Sequence, residues 1–178
     1  MSAEVRELSP NDVDALRDFF AAVPKEDHAF FKEDIDDPAL ADRWIHDARS
    51  IRRLAVDEDG RLVGWAALLP GVGRTGHVAE LLLVVAGANR RQGLGRMLAR
   101  RMLVEALQHE YRKLSVLLAA DNDGPIAMFR GLGFEPEALL RDQLCDPNGD
   151  LHDVLVLSHA VDETWSTMLT GGLDEAAW

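Results

Sequence analysis

Between residues 77 and 109 the chain changes its hydrophobic period once, and abruptly. His77 to Val85 ends in five consecutive apolar residues, Leu81 to Val85, a run that predicts a strand buried on both faces. From Gly93 onward Leu94, Leu98, Met102 and Ala106 recur at helical spacing, with Leu103 and Leu107 beside them, which predicts a helix to about His109. The joint between the two is Arg90-Arg91-Gln92-Gly93-Leu94-Gly95. Leu114 to Ala119 is a further apolar strand. Strand, helix and strand in succession argue for a mixed α/β sheet with helices packed on its faces.

The flanking sequence extends this pattern. Ala3 to Leu8 alternates as a short strand, and Ser9-Pro10 opens a helix to about Ala22. Val13, Leu16, Phe19 and Phe20 fall on the buried face of that helix. Pro24 to Asp37 is charged and reads as a loop or short helix around Phe30 and Phe31. A second helix spans Pro38 to about Ala48. Ile51–Val56 and Leu62–Leu69 form a hairpin about Asp59-Gly60. Gly71, Gly73 and Gly76 break the chain before the apolar run. A short helix from Pro125 to Leu132 stops at Gly133. The last two strands, Ala138–Cys145 and Leu151–Ala160, are joined by Asp146-Pro147-Asn148-Gly149-Asp150. The order β-α-α-β-β-β-α-β-α-β-β occupies one domain, residues 1–160. Residues 161–178 form an acidic tail that holds Trp165 and Trp178 and has no clear period.

Composition narrows the function. A net charge of −12 in 178 residues argues against nucleic acid and anionic membranes as partners, since phosphate neutralisation needs clustered Lys and Arg. Yet Arg90, Arg91, Arg96, Arg100 and Arg101 crowd one short stretch. One basic cluster in an acidic protein reads as a site for a specific anion, with an acidic surface that attracts cationic substrates. No apolar run approaches the ~20 residues of a membrane span. The first residues lack a signal-peptide pattern, and Cys145 is the only cysteine. A cytoplasmic setting is expected.

The hexamer Arg90 to Gly95 has the chemistry of an anion cradle. A helix start leaves N–H groups unpaired and carries partial positive charge. Two glycines let a phosphate reach the backbone, and the arginines add charge-assisted hydrogen bonds. It is neither a Walker A loop nor a dinucleotide fingerprint.

Here the sequence resembles the GCN5-related N-acetyltransferase (GNAT) family, whose hallmark is Arg/Gln-x-x-Gly-x-Gly/Ala after the fourth strand; Arg90, Gly93 and Gly95 match it. Asp121-Asn122 followed by a short helix and Gly133-Phe134 resembles the family's next element. The likeness covers about Glu4 to His159. It implies a sheet of six to seven strands, mostly antiparallel, with a splayed central pair. It implies acetyl-CoA as cosubstrate and no metal. Leu83, Val84 and Val85 would hold the pantetheine arm, and Arg90, Arg91, Gln92, Gly93, Leu94, Gly95 and Arg96 the pyrophosphate. Asn122 would touch the arm near the thioester. The phrase Ala79 to Val85 looks like the branch that contains bacterial protein lysine acetyltransferases, where the matching glutamate is the base.

Transfer from a thioester to an amine needs a proton acceptor, a donor for the oxyanion and a way for the thiolate to leave. Glu80 is the candidate base, because apolar surroundings make a carboxylate a better proton acceptor. The alternative for Glu80 is a carboxylate at the exposed start of its strand. The helix position where many family members carry an acidic Tyr holds Phe129, placed beside the coenzyme. Tyr111 sits at the far end of the preceding helix. Cys145 is expected as a buried structural thiol, and His77, His152 and His159 lack metal-ligand spacing. Asp146, Asp150 and Asp153 are explained by turn chemistry, and Phe30, Phe31 and Trp44 by core packing rather than an acceptor pocket. The acceptor is expected to be a primary amine, of a protein lysine or N-terminus or of a small molecule; a catalytically silent acyl-CoA binder is the remaining reading. Dimerisation through the terminal hairpin or the tail is left open.

Overall fold

The structure, a computed structural model, describes residues 3–25, 31, 33–146 and 148–161. Phe30, Pro147 and the tail beyond residue 161 lie outside the described residues. The elements run β1 (Glu4–Glu7), α1 (Val13–Ala21), α2 (Leu40–His46), β2 (Ile51–Val56), β3 (Leu62–Pro70), β4 (Val78–Val85), α3 (Leu94–Gln108), β5 (Lys113–Ala119), α4 (Asp123–Arg130), β6 (Glu135–Cys145) and β7 (Leu151–Ala160). They build one seven-stranded sheet of order β1-β2-β3-β4-β5-β7-β6. Every neighbouring pair is antiparallel except β4 and β5.

The helical period read from the sequence decides which side each helix buries. Leu94, Leu98, Met102, Leu103 and Ala106 of α3 lie in one core with Ala79, Leu81 and Val85 of β4, Leu114 and Val116 of β5, and Phe129, Leu132 and Phe134. The opposite face of β2 and β3 is covered by Leu16, Phe19 and Phe20 of α1 and Leu40, Ala41 and Trp44 of α2, which pack on Leu54, Trp65 and Ala67. Trp44 and Trp65 stack at 4.8 Å, and Phe20 meets both rings edge-on. Phe31 joins them half-buried, 5.5 Å from Phe20, so Phe31 and Trp44 are packing residues here.

Turns follow their side chains. Asp57 Oδ1 accepts the amides of Asp59 and Arg61 at 3.0 and 2.9 Å, and Gly60 takes φ +76°. Asp146 Oδ1 accepts the amides of Asn148 and Asp150 at 2.8 and 2.9 Å, with Gly149 at φ +90°. The final strand pair is longer than its turn signals suggest: β6 starts at Glu135 because Pro136 sits on the outermost strand, where a missing N–H is tolerated.

Across α3, the chain also ties its N-terminal half to its centre. Glu105, 1% exposed, accepts both Arg53 Nε and Nη2 at 2.8 and 2.7 Å and Arg101 Nε at 2.9 Å. A buried carboxylate held by two guanidiniums is satisfied rather than isolated. One arginine of the basic cluster, Arg101, is thereby turned away from the loop before α3.

Candidate active site

β4 is paired unequally on its two sides. Toward β3 the register is unbroken from Gly64↔Val85 to Pro70↔Ala79. Toward β5 it holds only Val78↔Lys113, Ala79↔Leu114 and Glu80↔Ser115. Past Glu80 the two strands part, which leaves the β5 side of residues 81–85 without a ladder partner. Backbone groups there are donors and acceptors seeking something extended to pair with. Leu82, Leu83 and Val84 are half-buried for the same reason. The apolar run that predicted enclosure on both faces is therefore only partly enclosed, because its neighbour departs.

Glu80 stands where the strands begin to part. Ala79 and Leu81 point into the α3 core, so alternation sends Glu80 to the other face, with Leu82 and Val84, which pack beside the α1 and α2 cluster. It is half-buried. Ser115, its register partner on β5, shares that face. Nothing local in the sequence singled out Ser115; only the pairing of two strands 35 positions apart brings it beside Glu80.

The loop after β4 is shaped for an anion. A 3-10 turn, Gly87–Asn89, leads to Arg90 in extended conformation. Arg91 at φ +60° and Gly93 at φ +85° are both left-handed, a geometry that turns successive amides toward one side. Gly93 caps α3, whose first internal bond is Met97 N to Gly93 O at 3.0 Å. The amides of Leu94, Gly95 and Arg96 precede that bond, at the positive end of a 15-residue helix. Leu94 buries its side chain at 7% exposure, so it offers only its amide. A methyl group on Gly95 would meet Met128 Sδ at 3.4 Å and Leu83 and Val85 at 3.7 Å. The helix start therefore lies directly on the half of β4 that faces the gap.

Two side chains of the motif brace this loop. Arg90 Nε donates to Val85 O at 3.2 Å and Gln92 Nε2 to Ala88 O at 3.0 Å. Arg91 and Arg96 are exposed, and Arg96 Nη2 lies 3.0 Å from where a Cβ on Gly131 would be, which puts its guanidinium across the groove at the end of α4. Asn122 is exposed at the start of α4 and its side chain makes no cap bond. Phe129 is 4% exposed and packs edge-on to Phe134 at 5.1 Å. Tyr111 is half-buried against the same core, and burial pushes its hydroxyl pKa up.

Cys145 is a correction: it is exposed rather than buried. β6 is the outermost strand and is exposed along nearly its whole length, and Cys145, paired with Leu151, shares that exposure. The histidines have ordinary roles. His159 Nδ1 is 2.9 Å from Gly133 O, His152 is 3.4 Å from Asp146, and His77 is exposed. Among the described residues no group of three or more His, Cys, Asp or Glu is placed to hold a metal, and no helix is long and apolar enough to cross a membrane.

A parallel strand pair that opens beside a glycine-started helix defines a class of protein, the acyltransferases that lay coenzyme A into a sheet. The particular family follows from the sequence: residues 14–134 match the acetyltransferase (GNAT) family, and the chain belongs to it. It is an acetyl-CoA-dependent N-acetyltransferase. No curated protein sequence matches the chain. Among solved structures, ribosomal-protein-alanine N-acetyltransferase from Brucella melitensis is similar at 24% identity and TM-score 0.77, covering 88% of this chain and 99% of its own. A phosphinothricin acetyltransferase from Sinorhizobium meliloti, in complex with AcCoA, is similar at 19% and 0.77, covering 92% and 90%. Spermidine N-acetyltransferase from Vibrio cholerae, in complex with CoA and spermine, is similar at 19% and 0.74, covering 89% and 95%. At these identities the likeness is one of fold.

Proposed function

We propose that the chain acetylates a primary amine by direct attack of that amine on the thioester of acetyl-CoA, with Glu80 as the base. The observation that carries this reading is the opening of β4 from β5 just past Glu80, in line with the left-handed turn at Arg91 and Gly93. The amides of Arg91 to Gly95, with the charges of Arg90 and Arg96, suit the pyrophosphate. The unpaired edge of Leu83 to Val85 suits the pantetheine arm as an added strand, with Asn122 on its other side. Glu80 then lies beside the thioester end of the arm, on the face from which an amine can approach. It takes the ammonium proton, and a β4 amide freed by the gap donates to the developing oxyanion. Phe129 has no proton to give, so the thiolate leaves on its own acidity, near pKa ~8.5 for a cysteine-like thiol.

The acceptor we favour is a protein lysine or an N-terminal amine, in keeping with the phrase Ala79 to Val85 and the net charge of −12. The fold shared with the Brucella enzyme, whose printed acceptor is a ribosomal-protein alanine, supports it. A small-molecule amine is the second reading, supported by the fold shared with the phosphinothricin and spermidine enzymes. Initial rates on a peptide panel and an amine panel separate the two. Glu80→Gln is expected to bind acetyl-CoA as the wild type does, while kcat falls on the order of 10²–10⁴-fold. Full activity in that variant, or a wild type that binds acetyl-CoA and acetylates no amine, overturns the proposal.

A further inference from the structure

β5 carries a single uncharged polar side chain, and the sheet sets it beside Glu80. Leu114 and Val116 lie in the α3 core, so alternation sends Lys113, Ser115, Leu117 and Ala119 to the opposite face, the one that Glu80 occupies. The pair Glu80↔Ser115 is the last rung before β4 and β5 part. Neighbouring strands lie about 4.8 Å apart, so the two side chains leave the sheet side by side at the mouth of the gap. Both are half-buried.

Their surroundings on that face are apolar. Leu82 and Val84 follow Glu80 along β4, Leu117 and Ala119 follow Ser115 along β5, and all four are half-buried. Lys113 is engaged elsewhere, its Nζ donating to Glu137 Oε1 at 2.6 Å. Ser158, the neighbour of Ser115 on β7, serves that same carboxylate. Lys113 first, and the Ser158 hydroxyl after it, hold Glu137 below the usual carboxylate range. Ser115 has no such engagement: among the described residues nothing bonds its hydroxyl. A serine hydroxyl has two acceptor lone pairs, and a polar group in apolar surroundings gains most from a partner brought to it.

We infer that Ser115 is the second acceptor for the incoming amine. This rests on Glu80 as the base. A primary ammonium brings three N–H donors; Glu80 accepts one and Ser115 Oγ accepts another, while the transfer chemistry is unchanged. One anchor lets the nitrogen swing about its bond. Two anchors fix where it stands relative to the thioester carbon, and position of this kind is a large part of catalysis. Ser115 thereby selects for a primary amine at the end of a slim chain, which can present two N–H groups at once.

Two CoA thioethers test the seat on the full chain, whatever the natural acceptor. S-(2-aminoethyl)-CoA carries an ammonium close to the place of the acceptor nitrogen, and S-propyl-CoA has the same length without the charge. Calorimetry of the wild type is expected to show a preference for the aminoethyl compound of at least about tenfold. Ser115→Ala is expected to reduce that preference at least about fivefold, with S-propyl-CoA affinity held within about twofold. Ser115→Thr, which keeps the hydroxyl, is expected to restore it, and Glu80→Gln to lower it. The inference is overturned if the wild type binds both compounds alike, if Ser115→Ala keeps the whole preference, if Thr fails to restore it, or if Ser115→Ala weakens both compounds equally, the mark of a damaged strand. Loss of preference in Glu80→Gln but not in Ser115→Ala removes Ser115 and leaves Glu80 as the base. The base reading falls separately, on full activity of Glu80→Gln, and if neither compound binds the wild type the coenzyme site falls with both.

Discussion

The two edges of β4 receive opposite treatment from the same eight residues. On the β3 edge the ladder is complete, and Gly64 lies so close to α3 that a Cβ there would be 2.8 Å from Leu98 Cδ1 and 3.4 Å from Val84 O. On the β5 edge the ladder stops at Glu80, and the next residues lie half-open. The closed edge carries stability, because its strands and helix bury one another. The open edge leaves backbone hydrogen bonds unmade, a cost the fold sustains where something else completes the sheet. The proposed site lies where the architecture is unfinished.

That contrast can be broken or sharpened by substitution. The largest expected effect is at the open edge. Arg96→Glu, at an exposed side chain, sets a carboxylate where the diphosphate is proposed to lie, and like charges repel. Acetyl-CoA affinity is expected to fall at least about 100-fold by calorimetry, with the melting temperature of the free protein changed little. Equal affinity would break the contrast. At the closed edge Gly64→Ala forces a methyl against Leu98. Overpacking of this kind costs about 2 kcal/mol, read by urea unfolding, and KM for acetyl-CoA is expected to hold near the wild-type value.

A third change belongs to the closed half alone. The Arg6 guanidinium, bonded to both oxygens of Asp12, holds that carboxyl down to about 2, against the cost of burying it; the Ser9 amide and hydroxyl assist. A pKa depressed by folding stabilises above the free carboxylate's value and loses that stabilisation as pH falls through the folded one. The contribution is thus whole above about pH 4 and gone near pH 2. Asp12→Asn is expected to lower stability at neutral pH by about 2 kcal/mol and to flatten the pH dependence of unfolding between those limits. Unchanged acid sensitivity would show that the pair does not carry that limb.

Much of this was legible in the chain. The stripe Leu94, Leu98, Met102, Ala106 fixed the buried side of α3, and two glycines after an apolar strand marked where α3 begins. Asp59-Gly60 and Asp146 to Asp150 announced their turns, since those side chains bond their own backbone. What stayed hidden depends on distant partners. Leu82 to Val84 read as enclosed because apolarity reports what a residue tolerates, whereas exposure here is set by where β5 goes. The bond from Arg53 to Glu105 joins residues 52 positions apart, and no local pattern encodes it. Cys145 read as buried because cysteine usually is, yet it lies on the outermost strand, which is exposed along nearly its whole length.

That exposure has a practical reach. The chain's single thiol sits at the surface, at the end of the terminal hairpin, so a maleimide dye would attach at one address without any engineering. The wild-type protein thus comes with its own reporter of how that hairpin moves or meets a neighbour. Stored without reductant, it also has a ready means of joining two chains covalently.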